Sequence, residues 1–574
     1  MTTYYVTQDG AGAHNGTSYD DADSIAHANS FDYAANDVVY LCDTIRTALT
    51  PHTSGTAGNP VVYRGDYAGH AGKLYGSELL DTWGSYDNDP EGTNLWSCAA
   101  AAAVQMVWFV KAGVTYWGTL KASAAACTAE YDWFYASNVV YCYTPANADP
   151  DTLYDSIEGA VLNYGIDHNS VTNITIQNLE IAHTVRNGVH MDSATPINWT
   201  VTGCTIHHLG TAFNGSYGYG ISTRANGGRF NNNTIYECAA GGVNVNASAG
   251  ITVDDVVIDR NTCYNNYHCD IQLLDWGGTL ISNCTISRNL IYSTAAWAYT
   301  SGITSHNAIY TQGSGTTFVD EADIYYNVLY NCWGNGIFIG PYSKDVRVYN
   351  NTLYGSNASS AINSTGLLLS DDNVTGVLVK NNISMNWDNA CFDVGAAASI
   401  TNDADCNYNC WYHSTGAALF VDVAGQYYHS DDFDANNNYK GDTGWDTNGL
   451  WEDPLFVNAA TRDFRLQSGS PCRNEGADVS LTEDYAGTIV PLETTPDIGA
   501  YEFIPITQLR FRWRMDDGNE DGATWAQAES ANITVPAGDV RRLRFLVDTS
   551  GDTASVTYQL EMKEANDATW RVVT

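Results

Sequence analysis

Apolar and polar residues alternate in short segments that recur along residues 173–412, and most of these segments open with glycine. The segments are Gly188-Val-His-Met-Asp, Gly220-Ile-Ser-Thr-Arg, Gly242-Val-Asn-Val-Asn, Asp270-Ile-Gln-Leu-Leu, Ala308-Ile-Tyr-Thr-Gln, Gly336-Ile-Phe-Ile-Gly, Gly366-Leu-Leu-Leu-Ser and Ala390-Cys-Phe-Asp-Val. Alternation with a period of two predicts strands that bury one face. Because no segment is long enough to form a sheet by itself, each is expected to pair with the equivalent segment of the next repeat.

A second phrase, an asparagine followed by a short apolar stretch that often includes tyrosine, lies between these segments. Its copies are Asn178-Leu-Glu-Ile, Asn233-Thr-Ile-Tyr, Asn261-Thr-Cys-Tyr, Asn289-Leu-Ile-Tyr, Asn327-Val-Leu-Tyr, Asn351-Thr-Leu-Tyr, Asn382-Ile-Ser-Met and Asn409-Cys-Trp-Tyr, with Cys204-Thr-Ile-His in the one gap. Asparagines at one turn position of a solenoid stack, and each side-chain amide then bonds to the next coil. We therefore assign these asparagines to the structure rather than to chemistry.

These two patterns predict an all-β chain, a right-handed single-stranded parallel β-helix with an N-terminal cap and coils about 4.8 Å apart. After Ile504 the asparagine phrase stops and longer alternating strands follow, beginning with Leu509-Arg-Phe-Arg-Trp-Arg. That change predicts a small antiparallel β-sandwich at the C-terminus. The predicted β-helix covers residues 1–505, with cap and first rungs at 1–160, regular rungs at 161–420 and last rungs at 421–505, and the predicted sandwich covers 506–574.

Both ends of the predicted β-helix carry a family resemblance. Ser54-Gly-Thr-Ala-Gly-Asn-Pro-Val resembles the opening turn of many proteins of the pectate-lyase-like superfamily of right-handed parallel β-helices. Asp453-Pro-Leu-Phe-Val-Asn, Asp463-Phe-Arg-Leu, Gly469-Ser-Pro-Cys and Pro496-Asp-Ile-Gly-Ala-Tyr-Glu are similar to the last-rung signature of bacterial and phage members. The superfamily contains polysaccharide lyases, glycoside hydrolases, epimerases, esterases and viral tailspikes. The resemblance therefore implies a protein that acts on a glycan, without naming the reaction.

Charge limits the partners. The chain has 65 acidic and 25 basic residues, a formal net charge of −40. Such acidity repels nucleic acid and anionic membranes, and no apolar run is long enough to insert into a bilayer. We expect a polysaccharide as the partner, no nucleic acid and no membrane insertion.

The beginning of the sequence has no signal-peptide pattern, so we expect either that a signal peptide has been removed or that the protein is exported differently, for example on a virus particle. Its expected location is extracellular or virion-associated. The fourteen cysteines suit either core packing or disulfides, and the pairs Cys263 with Cys269 and Cys406 with Cys410 are the nearest in sequence. A trimer is implied only by analogy with tailspikes.

Side chains that point outward from a β-helix are the ones available for chemistry. If Val189, Ile221, Val243, Ile271, Ile309 and Ile337 point inward, one outward column comprises His190, Ser222, Asn244, Gln272, Tyr310 and Phe338, followed by Leu368 and Phe392. A second outward column, two residues further along each strand, comprises Asp192, Arg224, Asn246, Leu274 and Gln312. The change from polar to apolar residues along the first column suggests a groove with apolar sugar-stacking positions at one end.

The predicted catalytic residues are Asp192, Asp270, His190 and Arg224. The predicted substrate-binding residues are Asn244, Asn246, Gln272, Asp275, Trp276, His268, His306, Tyr310 and Tyr217. Aromatic rings beside hydrogen-bonding groups suit sugars, which have apolar faces and hydroxyl edges.

Three functions follow, of which glycoside hydrolase is preferred. A hydrolase needs two carboxyl groups about 5 to 9.5 Å apart, but Asp192 and Asp270 are expected about 14 Å apart by the rung spacing. Asp192 would need a partner such as Glu237, and Asp270 would pair with Asp275 only if the strand end curls back. No complete carboxyl pair is therefore visible in the sequence.

The first alternative is a polysaccharide lyase acting on a uronic-acid polymer by β-elimination. Arg224, Asn244, Asn246 and Gln272 would neutralise the uronate, and His190, His306 or Tyr310 would be the base. The calcium-dependent lyases of the superfamily use Lys or Arg bases, and no matching Lys lies on this face. The hydrolase needs no cofactor. A role for Ca²⁺ in bridging the acidic protein and an anionic substrate is an open alternative. The second alternative is a tailspike-like or adhesive protein that binds a glycan without cleaving it.

Overall fold

The computed structural model describes the chain outside residues 86–93, 169, 193–197, 212–216, 249, 295–305, 316, 356–363, 371–372, 396–399, 401–404, 415–420, 424–425, 429–438 and 505–506; beyond 506 it describes 507–515, 524, 541–548, 561–562 and 571–572. Its main body is a parallel β-helix in which each coil contributes one strand to each of three long sheets, here called A, B and C. Along the chain the order in one regular coil is C, A, B. The predicted fold class is confirmed.

Sheet A has thirteen strands in the described residues: Asp23–Ser24, Thr3–Thr7, Val38–Leu41, Val61–Arg64, Ile174–Gln177, Thr200–Thr202, Arg229–Asn231, Val257–Asp259, Thr285–Ser287, Asp323–Tyr325, Arg347–Tyr349, Leu378–Lys380 and Cys406–Asn407. Sheet B has eleven strands in the same part of the chain: Thr44–Ile45, Lys73–Tyr75, Glu180–Ala182, Thr205–His207, Thr234–Tyr236, Thr262–Tyr264, Leu290–Tyr292, Val328–Tyr330, Thr352–Tyr354, Ile383–Met385 and Cys410–Tyr412. Sheet C, which carries the predicted site, likewise has eleven described strands: Ile166–Asp167, Val189–Met191, Tyr219–Thr223, Gly241–Ala247, Cys269–Asp275, Asn307–Gln312, Asn335–Ile339, Thr365–Leu369, Ala390–Val394, Val421–Val423 and Gln426–Tyr428. A fourth, short sheet inserted between C and A contains Thr252–Asp254, Leu280–Ser282, Phe318–Asp320 and Ser343–Lys344.

The described part of residues 77–160 leaves the solenoid and forms two sheets, the first antiparallel and the second mixed. Their strands are Val114–Trp117, Val107–Lys111, Ser156–Ala160 and Ser77–Leu79 in one sheet, and Thr119–Leu120, Asp132–Ala136, Val139–Tyr143, Leu95–Ala99 and Gly84–Ser85 in the other. The apolar core of this insertion includes Val185 and Ala239 of the solenoid, so the insertion packs against the coils near the B-to-C turn.

The remaining elements are short. Phe456–Asn458 pairs with Asp463–Leu466, and the segment around them packs on sheet B through Phe464, which lies against Tyr330 and Tyr354. Beyond residue 506, Thr507–Met515 pairs antiparallel with Arg541–Asp548, and Glu561–Met562 with Arg571–Val572; the C-terminal sandwich stays a prediction. The helices are Ile25–Ala28, Pro150–Leu153 and Tyr439–Thr443, with 3₁₀ turns at Ala124–Ala126, Pro145–Asn147 and Ala459–Thr461. No helix of the described residues has the length and apolar character needed to cross a bilayer.

A continuous apolar core fills the solenoid. The six predicted inward residues of sheet C, from Val189 to Ile337, are all completely buried. All fourteen cysteines are buried as free thiols, including the two pairs considered as disulfides. They pack as small apolar side chains.

The asparagine ladder lies at the turn from sheet A to sheet B. The backbone N–H and the side-chain Nδ2 of Asn233 both donate to Asn261 Oδ1, at 3.0 and 2.9 Å, and Asn261 donates in the same way to Asn289. The pattern continues through Asn327, Asn351, Asn382 and Asn409. Asn178 is the exception: it is exposed and one residue too early, and Leu179 occupies the ladder position in that coil.

Replacing Asn261 with Ala is expected to lower the free energy of unfolding by about 1–3 kcal/mol, because two donors of Asn233 lose their buried acceptor. Urea denaturation measures the loss. Asn231→Ala is the matched control, since Asn231 lies two residues before Asn233 and outside the ladder. Equal free energies of unfolding for the two variants would show that the ladder does not stabilise the fold.

Candidate functional site

The outward face of sheet C has the register predicted from the sequence over the six coils from His190 to Phe338. His190 pairs with Ser222, Ser222 with Asn244, Asn244 with Gln272, Gln272 with Tyr310 and Tyr310 with Phe338. In the second column Asn246 pairs with Leu274 and Leu274 with Gln312. Side chains distant in sequence are therefore neighbours about 4.8 Å apart along one face.

A groove of about 460 Å³, here called the polar groove, lies over the first coils of this face. Eight predicted site residues line it: His190, Asp192, Tyr217, Arg224, Asn244, Asn246, Gln272 and Trp276. Tyr164, Arg186 and Tyr219 also line it. Stacking of the coils therefore places polar and aromatic side chains together, as a sugar-binding site requires.

Two contacts between a basic and an acidic side chain lie at one end of the polar groove. His190 Nδ1 is 2.9 Å from Asp167 Oδ1 on the preceding coil, and its ring is stacked on Tyr164 with centroids 4.1 Å apart. Arg224 Nη1 is 3.3 Å from Asp192 Oδ2, with both side chains about 40% exposed. An exposed pair of this kind contributes less than about 1 kcal/mol, so Arg224 is available to a ligand at little cost.

Aromatic surfaces flank the contacts of His190 with Asp167 and of Arg224 with Asp192. The guanidinium carbon of Arg186 lies 4.4 Å from the centre of the Tyr217 ring. Trp276 is 69% exposed at the strand end, where the buried carboxylate of Asp275 accepts the backbone N–H groups of Gly277 and Gly278. Asp275 therefore holds the turn that presents Trp276, and it does not line the groove.

The floor of the polar groove is a chain of amides. Asn244 Nδ2 donates to Ser222 Oγ at 3.1 Å, and Gln272 Nε2 donates to Asn244 Oδ1 at 2.7 Å and to Tyr219 Oη at 3.0 Å. Asn246 is 7% exposed, and its Oδ1 has no hydrogen-bond partner among the residues that the structure describes. A buried acceptor without a partner is costly, so a ligand hydroxyl that donates to Asn246 would be favoured here.

The prediction for Asp270 and His306 is wrong, because both lie inside the solenoid. Asp270 is completely buried and accepts a bond of 2.8 Å from Asn266 Nδ2. His306 is 2% exposed, with Nε2 3.4 Å from Asp270 Oδ2. Neither side chain reaches the outward face, so the pair helps to fill a corner of the core.

Two more predicted residues lie outside the polar groove. His268 is half-buried at the turn before the strand Cys269–Asp275, and burial lowers its pKa. Tyr310 follows Gln272 in the outward column and stacks on Phe338 with centroids 5.2 Å apart. Burial raises the pKa of Tyr310 to about 12, so its phenol stays protonated and offers an aromatic surface. Glu237, suggested as the partner of Asp192, instead pairs with His208 Nε2 at 2.8 Å.

The far end of the column contains a carboxyl pair that the sequence pattern missed. Leu367 pairs with Phe392, and Leu368 with Asp393, so Phe392 is inward and completely buried while Asp393 is outward. Asp393 in turn pairs with Asp422 on the next coil. Burial, and secondly the charge of Asp422, raise the pKa of Asp393 to about 6. The correct phase could be found by aligning Leu367 with Phe392 as the large apolar residue that enters the core.

The two ends of the column are joined by an apolar strip of Tyr310, Phe338 and Leu368. All three side chains are half-buried. Sugar rings stack on such surfaces. The outward column therefore runs from the polar groove over the apolar strip to the carboxyl pair.

Among the described residues, no three His, Cys, Asp or Glu side chains are grouped as a metal site would require. Acidic and amide oxygens on the outward face are the ligand type that Ca²⁺ prefers. The calcium hypothesis therefore remains a prediction for the chelator experiment below.

Residues 164–353 match the family model described as right handed beta helix region. With the sheet topology, this match shows that the fold of the main body is a right-handed parallel β-helix. No curated protein matches the chain at a significant level.

Several solved structures have a similar course of the chain. A protein called XylC, in complex with xylose, is 13% identical over 88% of this chain and 99% of that chain, with a TM-score of 0.49. A glycoside hydrolase is 9% identical over 79% of this chain and 98% of that chain, with a TM-score of 0.46. A pectate lyase is 16% identical over 88% of this chain and 97% of that chain, with a TM-score of 0.42. At identities this low, the similarity does not identify a substrate or a reaction.

Proposed function

We propose that the chain is a glycoside hydrolase that binds a polysaccharide along the outward face of sheet C and cleaves it at Asp393 and Asp422. The carboxyl pair carries this proposal, because Asp393 and Asp422 are paired in register on adjacent parallel strands. Their environment also favours a proton on Asp393. Two carboxyl groups of which one holds a proton are the minimum that glycoside hydrolysis needs.

The roles follow from the raised pKa of Asp393. Asp393, which keeps its proton up to about pH 6, donates it to the oxygen of the leaving sugar. Asp422 attacks the anomeric carbon, and water then hydrolyses the glycosyl ester with Asp393 acting as base. The backbones of paired residues on adjacent coils lie about 4.8 Å apart, which allows the two carboxyl groups to adopt the separation of about 5–5.5 Å found in retaining enzymes. We therefore expect net retention at the anomeric carbon, which NMR of the first products detects.

The remainder of the face provides binding. The apolar strip offers stacking surfaces, and the polar groove offers Trp276, the amide chain and the unpartnered Asn246 Oδ1. Because the coils repeat along one direction, an extended glycan is the ligand shape that contacts all three regions.

Incubation with a panel of neutral and uronic-acid polysaccharides tests the proposal. New reducing ends without the ultraviolet absorbance of an unsaturated uronate would support hydrolysis. Reducing ends with that absorbance would show that the reaction is elimination instead of hydrolysis. Retention of a glycan without cleavage would leave a binding protein. A parallel incubation with chelator and added Ca²⁺ determines whether calcium is needed.

The pH dependence of hydrolysis is a separate prediction. The general acid must be protonated, and the pKa of Asp393 is about 6. The value of kcat/KM is therefore expected to fall about tenfold per pH unit above roughly pH 6, with an optimum on the acid side of neutrality. A plateau extending to pH 8 would show that Asp393 is not the acid.

Polysaccharide lyase is the second candidate, favoured by the charges of the polar groove. In a chain of net charge −40, the groove is lined by Arg186, Arg224 and His190 against Asp192. The arginines would neutralise a uronate, and His190, oriented by Asp167, would be the base. Loss of uronate elimination in Arg224→Ala, with hydrolysis of neutral glycans absent, would select this alternative.

A further inference from the structure

Asp167, His190 and Ser222 occupy the same outward position on three consecutive coils. Asp167 pairs with His190, and His190 with Ser222. A carboxylate, an imidazole and a hydroxyl in this order are the parts of a hydrolytic triad, which is recognised by geometry and roles rather than by order along the chain.

The first contact of the triad is formed. Asp167 Oδ1 is 2.9 Å from His190 Nδ1, with the His190 side chain 23% exposed and that of Asp167 41% exposed. A neutral imidazole that donates from Nδ1 to a carboxylate keeps a lone pair on Nε2. The parallel ring of Tyr164, 4.1 Å away, restricts the orientation of the imidazole.

The hydroxyl of Ser222 is prepared for a base. Its Oγ accepts a bond of 3.1 Å from Asn244 Nδ2, so its own proton is left to donate. The backbones of paired residues on adjacent coils are about 4.8 Å apart, so rotation about the side-chain bonds brings Ser222 Oγ within reach of His190 Nε2. Catalytic hydrogen bonds of this kind often tighten only when substrate is bound. Both residues line the polar groove.

We infer that the polar groove is a second active site, an acyl esterase that removes O-acyl groups such as acetyl from a glycan. The location of the ester on a glycan rests on the proposed function, whereas the ester chemistry rests on the triad. Ser222 Oγ attacks the acyl carbonyl carbon and its proton passes to His190 Nε2. The bond from the carbonyl carbon to the sugar oxygen breaks, and His190 returns the proton to that oxygen.

A water molecule then attacks the acyl-enzyme, again giving a proton to His190, which restores Ser222 and releases the carboxylic acid. The balance is one ester and one water to one alcohol and one acid. Asn244 Nδ2 has a second hydrogen, which is available to the carbonyl oxygen as negative charge develops on it. Asp167 acts through His190 and is a positioning residue.

Release of p-nitrophenol from p-nitrophenyl acetate and of acetate from chemically acetylated xylan tests the inference on the full chain. We expect both activities in the wild type and a loss of at least about 10³-fold in Ser222→Ala. Ser468→Ala is the control, because Ser468 is exposed and is not among the residues that line the polar groove, and it should retain activity. A serine-directed fluorophosphonate should label Ser222 in the wild type and leave Ser222→Ala unlabelled.

Two further variants separate this inference from the proposed hydrolase. Asp393→Asn should lose glycan cleavage and keep the release of p-nitrophenol from p-nitrophenyl acetate, and Ser222→Ala should lose that release. In Asp167→Asn the kcat of ester hydrolysis should fall while KM changes little, because an amide no longer holds the imidazole of His190 in the tautomer with its lone pair on Nε2. Absence of ester hydrolysis in the folded wild type, or equal rates in Ser222→Ala and the wild type, would overturn the inference whatever the outcome for glycan cleavage.

Discussion

Replacing Asp393 with Asn is expected to lower the rate of glycan cleavage at least about 10³-fold, because an amide cannot donate the proton that the leaving sugar needs. The effect should fall mainly on substrates with poor leaving groups. An aryl glycoside with an acidic phenol needs little protonation and should lose much less activity. Replacing Asp422 should abolish cleavage of both substrates, since no nucleophile remains, and a 2-deoxy-2-fluoro glycoside should label Asp422 in the wild type.

The same substitution should not weaken the fold. A carboxyl group whose pKa is raised by folding contributes most to stability at low pH, and that contribution is lost as pH rises from about 4 through about 6. Above that range Asp393→Asn is therefore expected to have an unchanged or higher melting temperature. Asp345→Asn is the control, since the side chain of Asp345 is 47% exposed and is paired with Lys344 away from sheet C. Equal cleavage by Asp393→Asn and the wild type would remove the proposed acid.

The sequence was sufficient for the features that repeat in every coil. A side chain such as Val243 or Ile271 is inward because the strand alternates, and its neighbours then follow in register. The ladder followed from the recurrence of asparagine at a turn whose backbone needs partners. These features depend on local pattern alone, so residues such as Asn244 and Gln272 were placed correctly.

Asp270 was misplaced because strict alternation does not hold at the start of these strands. Asp270 occupies the position of Gly242 in the preceding coil, since Ile271 pairs with Val243. The equivalent Gly220 is inward, and a Cβ there would lie 2.4 Å from Ile235 Cγ2. The glycine that opens most segments was therefore the available sign that this position faces the core. Asp270 is accommodated by Asn266 and His306, contacts that only the stacked coils reveal.

The carboxyl pair was missed through a phase error of one residue. Ala390-Cys-Phe-Asp-Val was aligned by its first residue, which left Phe392 outward and hid Asp393. A shift of one residue exchanges the two faces of a strand. Asp167 was missed for another reason: its strand, Ile166–Asp167, has only two residues, too few to show alternation. Loop length between coils decides such registers, and no periodic pattern encodes it.

The asparagine ladder ends on an aspartate, and Asp446→Ala is expected to be the most destabilising single substitution proposed here, lowering the free energy of unfolding by about 3–5 kcal/mol. Asp446 is completely buried; its Oδ1 accepts the backbone N–H and Nδ2 of Asn409 at 3.1 and 2.9 Å, and its Oδ2 accepts Trp411 Nε1 and Tyr439 Oη, both at 2.8 Å. Alanine would leave these donors without an acceptor inside the last coils. Asp446→Asn keeps the oxygen that faces Asn409 and loses the acceptor for Trp411, so about half of that loss is expected. Urea denaturation of both variants beside Asn261→Ala measures the order, and an Asp446→Ala variant no less stable than Asn261→Ala would show that the ladder does not depend on its terminal carboxylate.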